Sequence, residues 1–171
     1  MASIKSAAAL FGLMFWAAIA ASPTVHAGGA SQGTSAAAPN QLTNDSLRQM
    51  LDGMGLEPKA LSKGYLIVIK RDTWTYNMQL VLSENQEKLG FNANLGIVEN
   101  PDAVTAAQWK ALMISNGDIE PSFFYFDAKT KKLYLHRVLD NRAITPAFLR
   151  GQIENFVGNM KSTADLWKFT K

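Results

Sequence analysis

The sequence predicts an α+β domain: an antiparallel five-stranded sheet with helices mainly on one face, in the order α-β-β-β-α-β-β-α. Three observations predict it. WTYNMQLVL (74–82) and LGFNANLGIV (89–98) alternate apolar and polar residues with period two, as half-buried strands do. Three other segments set apolar residues at helical spacing behind a threonine that can cap a helix. The links between strands are short enough for hairpins.

The first helix lies in LTNDSLRQMLDGMGLEP. Thr43 is its N-cap, and Leu42 and Leu47 form a hydrophobic staple across the cap. Leu47, Met50, Leu51 and Met54 make one stripe, and Gly55 and Pro58 end the helix. YLIVIKR (65–71) is nearly continuous apolar, as a strand covered on both sides would be. In 74–82, Trp74, Tyr76, Met78, Leu80 and Leu82 share one side. In 89–98, Leu89, Phe91, Ala93, Leu95 and Ile97 oppose Gly90, Asn92, Asn94 and Gly96.

Thr105 and Gln108 form a capping box for the second helix, with Val104 and Trp109 as its staple. Leu112 and Met113 continue the apolar face to Asn116-Gly117. SFFYF (122–126) and LYLHRVL (133–139) read as a hairpin joined by DAKTKK. Thr145-Pro146 opens the last helix, with Leu149, Ile153, Phe156, Val157 and Met160 down one face. STADLWKF (162–169) follows a break, and Leu166 and Trp167 fold back on the body.

The ends are read from composition. Lys5, the uncharged run AAALFGLMFWAAIAA (7–21) and SPTVHA describe a secretory signal cleaved near Ala27. A spanning helix needs about 20 apolar residues, so no stable membrane anchor is expected. Residues 28–41, uncharged and poor in apolar bulk, read as a flexible leader before one domain over 42–171. Periplasmic or secreted placement follows. With no cysteine, neither a disulfide nor a lipidated cysteine enters the reading. Loss of Lys5 lowers the net charge of +3 by one, and no concentrated basic footprint marks a nucleic-acid binder.

The order of elements resembles the YbjN-type family, described as bacterial sensory transduction regulators with the fold of type III secretion chaperones. LRQMLDGMGLEP, FFYFDAKTKKLYLHRVL and ITPAFLRGQIENFVGNMKSTADLW carry the likeness, over about residues 42–169. The export signal and leader depart from the commoner pattern and weigh against a cytoplasmic regulatory role. The resemblance implies a protein-binding module that can be dimeric, with the second helix and the following strand as its seam. Trp109, Met113, Phe124 and Phe126 are the candidate contacts on that basis. The family has no catalytic constellation, so no catalytic residue is carried over.

The residues themselves offer little chemistry. His136 is the one histidine beyond Ala27, set in a strand between Tyr134 and Val138. One histidine and no cysteine leave no nitrogen–sulfur zinc set. ENPD (99–102) and DIE (118–120) lack calcium-loop spacing. Nothing sets two of Asp118, Glu120 and Asp127 across a cleft, and the glycines of LGFNANLG open no helix. Lys129, Lys131 and Lys132 read as a solvated hairpin tip. Asp140 to Arg142 read as a polar link into the last helix, where Arg150 and Glu154 are spaced for a weak surface ion pair.

No cofactor and no metal are expected, and no enzymatic activity. SFFYF lacks polar alternation, so both its faces need cover: the final helical segment, a second copy or a client. The expected function is exported protein binding, chaperone-like or regulatory, with a protein client or the chain itself as partner. The alternative is a periplasmic carrier of a small apolar or lipid ligand, for which Met50, Met54, Met78, Met113 and Met160 would line an adaptable cavity.

Overall fold

A computed structural model describes residues 40–171. The expected signal peptide (1–27) and most of the expected leader (28–41) lie outside the described residues. The elements run α1 (Asn44–Gly53), β1 (Lys59–Ala60), β2 (Tyr65–Arg71), β3 (Trp74–Leu82), β4 (Lys88–Ile97), α2 (Ala106–Asp118), β5 (Ser122–Asp127), β6 (Lys132–Asp140) and α3 (Pro146–Ser162). Short 3-10 turns occupy Pro101–Ala103 and Ala164–Trp167. The sheet order is β1-β2-β3-β4-β6-β5, antiparallel throughout.

Among the described residues the sheet has six strands, not five. The extra strand is two exposed residues, Lys59 and Ala60, paired with Leu66 and Tyr65. A pair of exposed residues has no periodicity to read. Gly64 makes the return possible: its φ is +76°, and a Cβ there would lie 2.0 Å from the Leu80 carbonyl oxygen.

All three N-caps are the predicted threonines, and the Thr43 box closes through Ser46. At the end of α1, Leu56 N–H reaches Leu51 O and Gly55 N–H reaches Asp52 O, a Schellman motif about the left-handed Gly55. The helices bury Leu47 and Leu51, Leu112, and the predicted stripe of α3, Leu149 to Met160. These meet the inner face of the sheet, where one row crosses five strands as Tyr65, Leu80, Phe91, Arg137 and Ser122. Phe91 and Phe156 join the two layers with ring centroids 5.7 Å apart.

The outer face is open, which corrects two expectations. β2 is covered on one side only: Tyr65, Ile67 and Ile69 are buried, whereas Val68 is 48% exposed. β5 buries Ser122 and Phe124 inward, and among the described residues its other side stays partly exposed at Phe123 and Tyr125. Both are screened in part by neighbouring rings on β6. Phe123 meets His136 edge-on at 5.1 Å, and Tyr125 stacks on Tyr134 at 5.0 Å. A third correction concerns β4. A bulge between Asn94 and Gly96 reverses the alternation, so Val98 is buried and Ile97 exposed.

The link DNRA does join β6 to α3, but Asn141 within it is fully buried. The expected Arg150–Glu154 pair does not form: Glu154 pairs with Arg71 of β2, and Arg150 donates to Met54 O at 3.1 Å. The five methionines do not share a site. Met78 and Met160 are in the core, Met50 and Met54 are half-buried on and beside α1, and Met113 faces solvent.

Candidate protein-binding surface

α2 runs beside β5, the last strand of the sheet. Trp109 packs against Phe126 at 5.4 Å and against Phe169 at 5.7 Å. Beyond these rings the helix and strand leave an open hollow of about 280 Å³. Trp109, Leu112, Met113 and Asn116 line it from α2, and Phe124, Tyr125, Phe126 and Leu133 line it from the sheet.

The four candidate contacts thus border one hollow, at different depths. Phe124 is a core residue and Trp109 and Phe126 are half-buried, while Met113 is 74% exposed. Met113 does not continue the buried face of α2 with Leu112. The helix turns Leu112, Ser115 and Ile119 inward, which leaves Met113 and Ile114 (61% exposed) outside. Two adjacent exposed aliphatics on a helix with only Lys110 and Asp118 as charges form an apolar stripe at the sheet's end.

Asn116 is a part of this surface that sequence reading missed. Its Oδ1 accepts the Phe124 N–H at 2.7 Å. Strand residues alternate the side to which their N–H and C=O point, so this bond closes one outward-facing donor on the free edge of β5. Asn116 reads in the sequence only as half of a helix-ending Asn-Gly. Nothing local signals its second role.

Arg137 is the other residue whose place only the fold reveals. It is 2% exposed and has no carboxylate among its partners. Its Nε donates to Ser122 Oγ, its Nη1 to Gln152 O and Oε1, and its guanidinium lies over the Phe156 ring. Burial lowers its pKa. The signal was available, because Arg137 shares the strand phase of Leu133 and Leu135.

His136 lies on the outer face, hydrogen-bonded through Nδ1 to Asn92 Oδ1, and burial lowers its pKa despite an opposing backbone hydrogen bond at Phe91. Asp127 caps its own turn through Thr130 and the Lys129 N–H, and these bonds lower its pKa. Burial, followed by the neighbouring Tyr134 and Asp127, raises that of Tyr125. Among the described residues, no three His, Cys, Asp or Glu are grouped to hold a metal.

No family model and no curated protein matches the sequence. The fold is that of YbjN and the type III secretion chaperones. The chain is similar to E. coli YbjN, at 16% identity and a TM-score of 0.55, covering 71% of this chain and 87% of that one. It is similar to a chain of the ExsC–ExsE complex, at 18% identity and a TM-score of 0.53, covering 72% and 92%. A chain of the ExoU–SpcU heterodimer from the type III secretion system of Pseudomonas aeruginosa matches at 15% identity and 0.50, covering 73% and 98%.

Proposed function

We propose that this protein is a non-enzymatic, chaperone-like module that binds a protein segment on the α2–β5 surface. The observation that carries the reading is the exposure of Met113 at an apolar hollow beside the last strand of the sheet, with Ile114 exposed next to it. Burying such side chains against a partner stabilises the complex by roughly 25 cal/mol per Å² of apolar area. An extended client pairing with β5 would take over the Phe124 N–H that Asn116 holds, which adds main-chain direction to apolar affinity. Solved complexes of this fold, ExsC with ExsE and ExoU with SpcU, support the reading. The hollow, at about 280 Å³, falls below the roughly 300–1,000 Å³ of small-molecule sites. That size favours a client side chain over a lipid cargo.

The same stripe suits self-association. A two-fold axis through Ile114 would set Lys110 of one copy, four residues before it, opposite the partner's Asp118, four residues after it. We also infer export, with cleavage after Ala27; N-terminal sequencing of protein recovered from the periplasm or medium tests this directly.

The main test is a pull-down from envelope extracts with the wild-type chain and a Met113→Glu/Ile114→Glu variant, alongside light scattering of both. The double variant should lose the partner, and any dimer, at unchanged melting temperature. Full retention of the partner by a folded double variant would overturn the reading.

A further inference from the structure

The flank of β4 that faces β3 is only half used by it. β3 and β4 pair from Leu82–Leu89 to Gln79–Asn92 and no further, while β4 stays paired with β6 to Ile97. The vacated flank is taken by Thr170 and Lys171. Ile97 N–H donates to Lys171 O at 2.8 Å, and Lys171 N–H donates to Ile97 O at 3.0 Å. Thr170 Oγ1 donates to Leu95 O at 2.8 Å. Lys171 Nζ pairs with Glu99 at 2.8 Å.

This strap leaves the 3-10 turn Ala164–Trp167 through a further turn at 168–169, and only Lys171 pairs with β4, at a seat shaped for it. Gly96 has φ +134°, and a Cβ there would stand 2.7 Å from Thr170 Oγ1 and 2.8 Å from Lys171 O. The absent side chain is what lets the strap approach. Two features show that the fit is incomplete. Among the described residues the buried Trp167 Nε1 finds no hydrogen-bond partner, a cost carried by the closed arrangement. A further hollow of about 240 Å³ remains beside Phe169 and Lys171, bounded by Val98, Glu99, Val104 and Gln108. The strap's ion pair is exposed and therefore weak.

We propose that the Leu95–Ile97 flank of β4 is a strand-acceptor site. Thr170 and Lys171 close it in this chain, and it exchanges them for an extended segment of a protein partner. The strap itself sets the chemistry of that segment: an aromatic residue where Phe169 sits, and a lysine two positions on to meet Glu99. The remaining hollow takes a larger side chain than the strap provides. This site takes no bond from Met113 or Ile114, although Phe169 of the strap packs on Trp109 of the α2 surface.

A fluorescein-labelled peptide, LWKFTK, tests the site by anisotropy against the full chain and a chain ending at Asp165. The shortened chain should bind it, and Glu99→Lys in that chain should weaken binding. A strap closed nine-tenths of the time makes the full chain bind about ten-fold more weakly. Met113→Glu/Ile114→Glu in the shortened chain should leave peptide binding unchanged, so this result is read apart from the α2 surface. No binding by a folded shortened chain, or equal binding by both chains, would overturn the proposal. If the shortened chain does not fold, amide exchange decides. Lys171→Glu in the full chain should speed exchange at Ile97 several-fold, and excess peptide should slow it again; unchanged exchange overturns the site.

Discussion

Asn141 and Leu42 are ninety-nine residues apart and bonded to each other twice. The Asn141 side chain accepts the Leu42 N–H at 3.0 Å and donates to the Leu42 carbonyl at 2.8 Å. The same amide nitrogen donates to Gln86 O at 2.7 Å, and the Asn141 N–H donates to Glu87 O at 2.8 Å. One side chain thus clasps the entry to α1, the β3–β4 hairpin loop and the exit of β6. Asn141→Ala would leave a buried donor and two acceptors unmatched, at about 1–3 kcal/mol each before relaxation. A loss of ~3 kcal/mol or more in urea unfolding is expected, and a loss within ~0.5 kcal/mol would show that water replaces the clasp.

Arg137 makes a different prediction, because its charge is buried without a neutralising carboxylate among the described residues. Arg137→Ala removes both the hydrogen bonds and the packing over Phe156 and should cost ~3 kcal/mol or more. Arg137→Met keeps most of the volume and discards the charge. Such replacements are often near neutral, so it should be clearly more stable than the alanine variant. Equal midpoints in urea would mean that the polar contacts, and not volume, hold the site.

Depth within the α2 hollow separates stability from binding. Phe124→Glu puts a carboxylate in the core and should cost more than ~3 kcal/mol. Met113→Glu sits in solvent and should stay within ~0.5 kcal/mol. Paired melting curves check this, and a stable Phe124→Glu chain would mean that Phe124 is free to turn outward.

His136 sets the expected response to mild acid. Its pKa is lowered in the folded chain, chiefly by burial, so the unfolded chain binds the proton more readily. Its contribution is therefore present above its ordinary value of 6.5 and is lost as the pH falls below it. Unfolding free energy should decline from pH 7 toward pH 5, and His136→Gln should flatten that limb. Asp72, Asp127 and Asp140, whose pKa values are lowered by hydrogen bonds to Lys161, Thr130 and Lys88, act only at lower pH. An unchanged slope in His136→Gln would remove His136 as the source.

The residues of the candidate surface were nameable from the sequence, while their role stays a proposal. Trp109, Met113, Phe124 and Phe126 were named from a likeness and border a single hollow. Their depths were not legible, because α2 has apolar residues on more than one side: Leu112 and Met113 are adjacent, and only one can face inward. Ile114 and Asn116 escaped notice for the same reason. Their roles come from which face of α2 meets β5, and that is settled by strand order.

The sequence by itself determined the local elements: three threonine-capped helices, the period-two strands β3 and β4, and the stripe of α3. Caps and alternation act within a few residues, so a single segment holds all the information. Tertiary structure alone decided the two-residue β1, the change of phase that buries Val98 in place of Ile97, and the pairing of Glu154 with Arg71. It also decided the burial of Arg137 and Asn141 and the seating of Lys171 against Ile97. Each of these depends on register between distant segments, where one residue of slip turns a side chain from core to solvent.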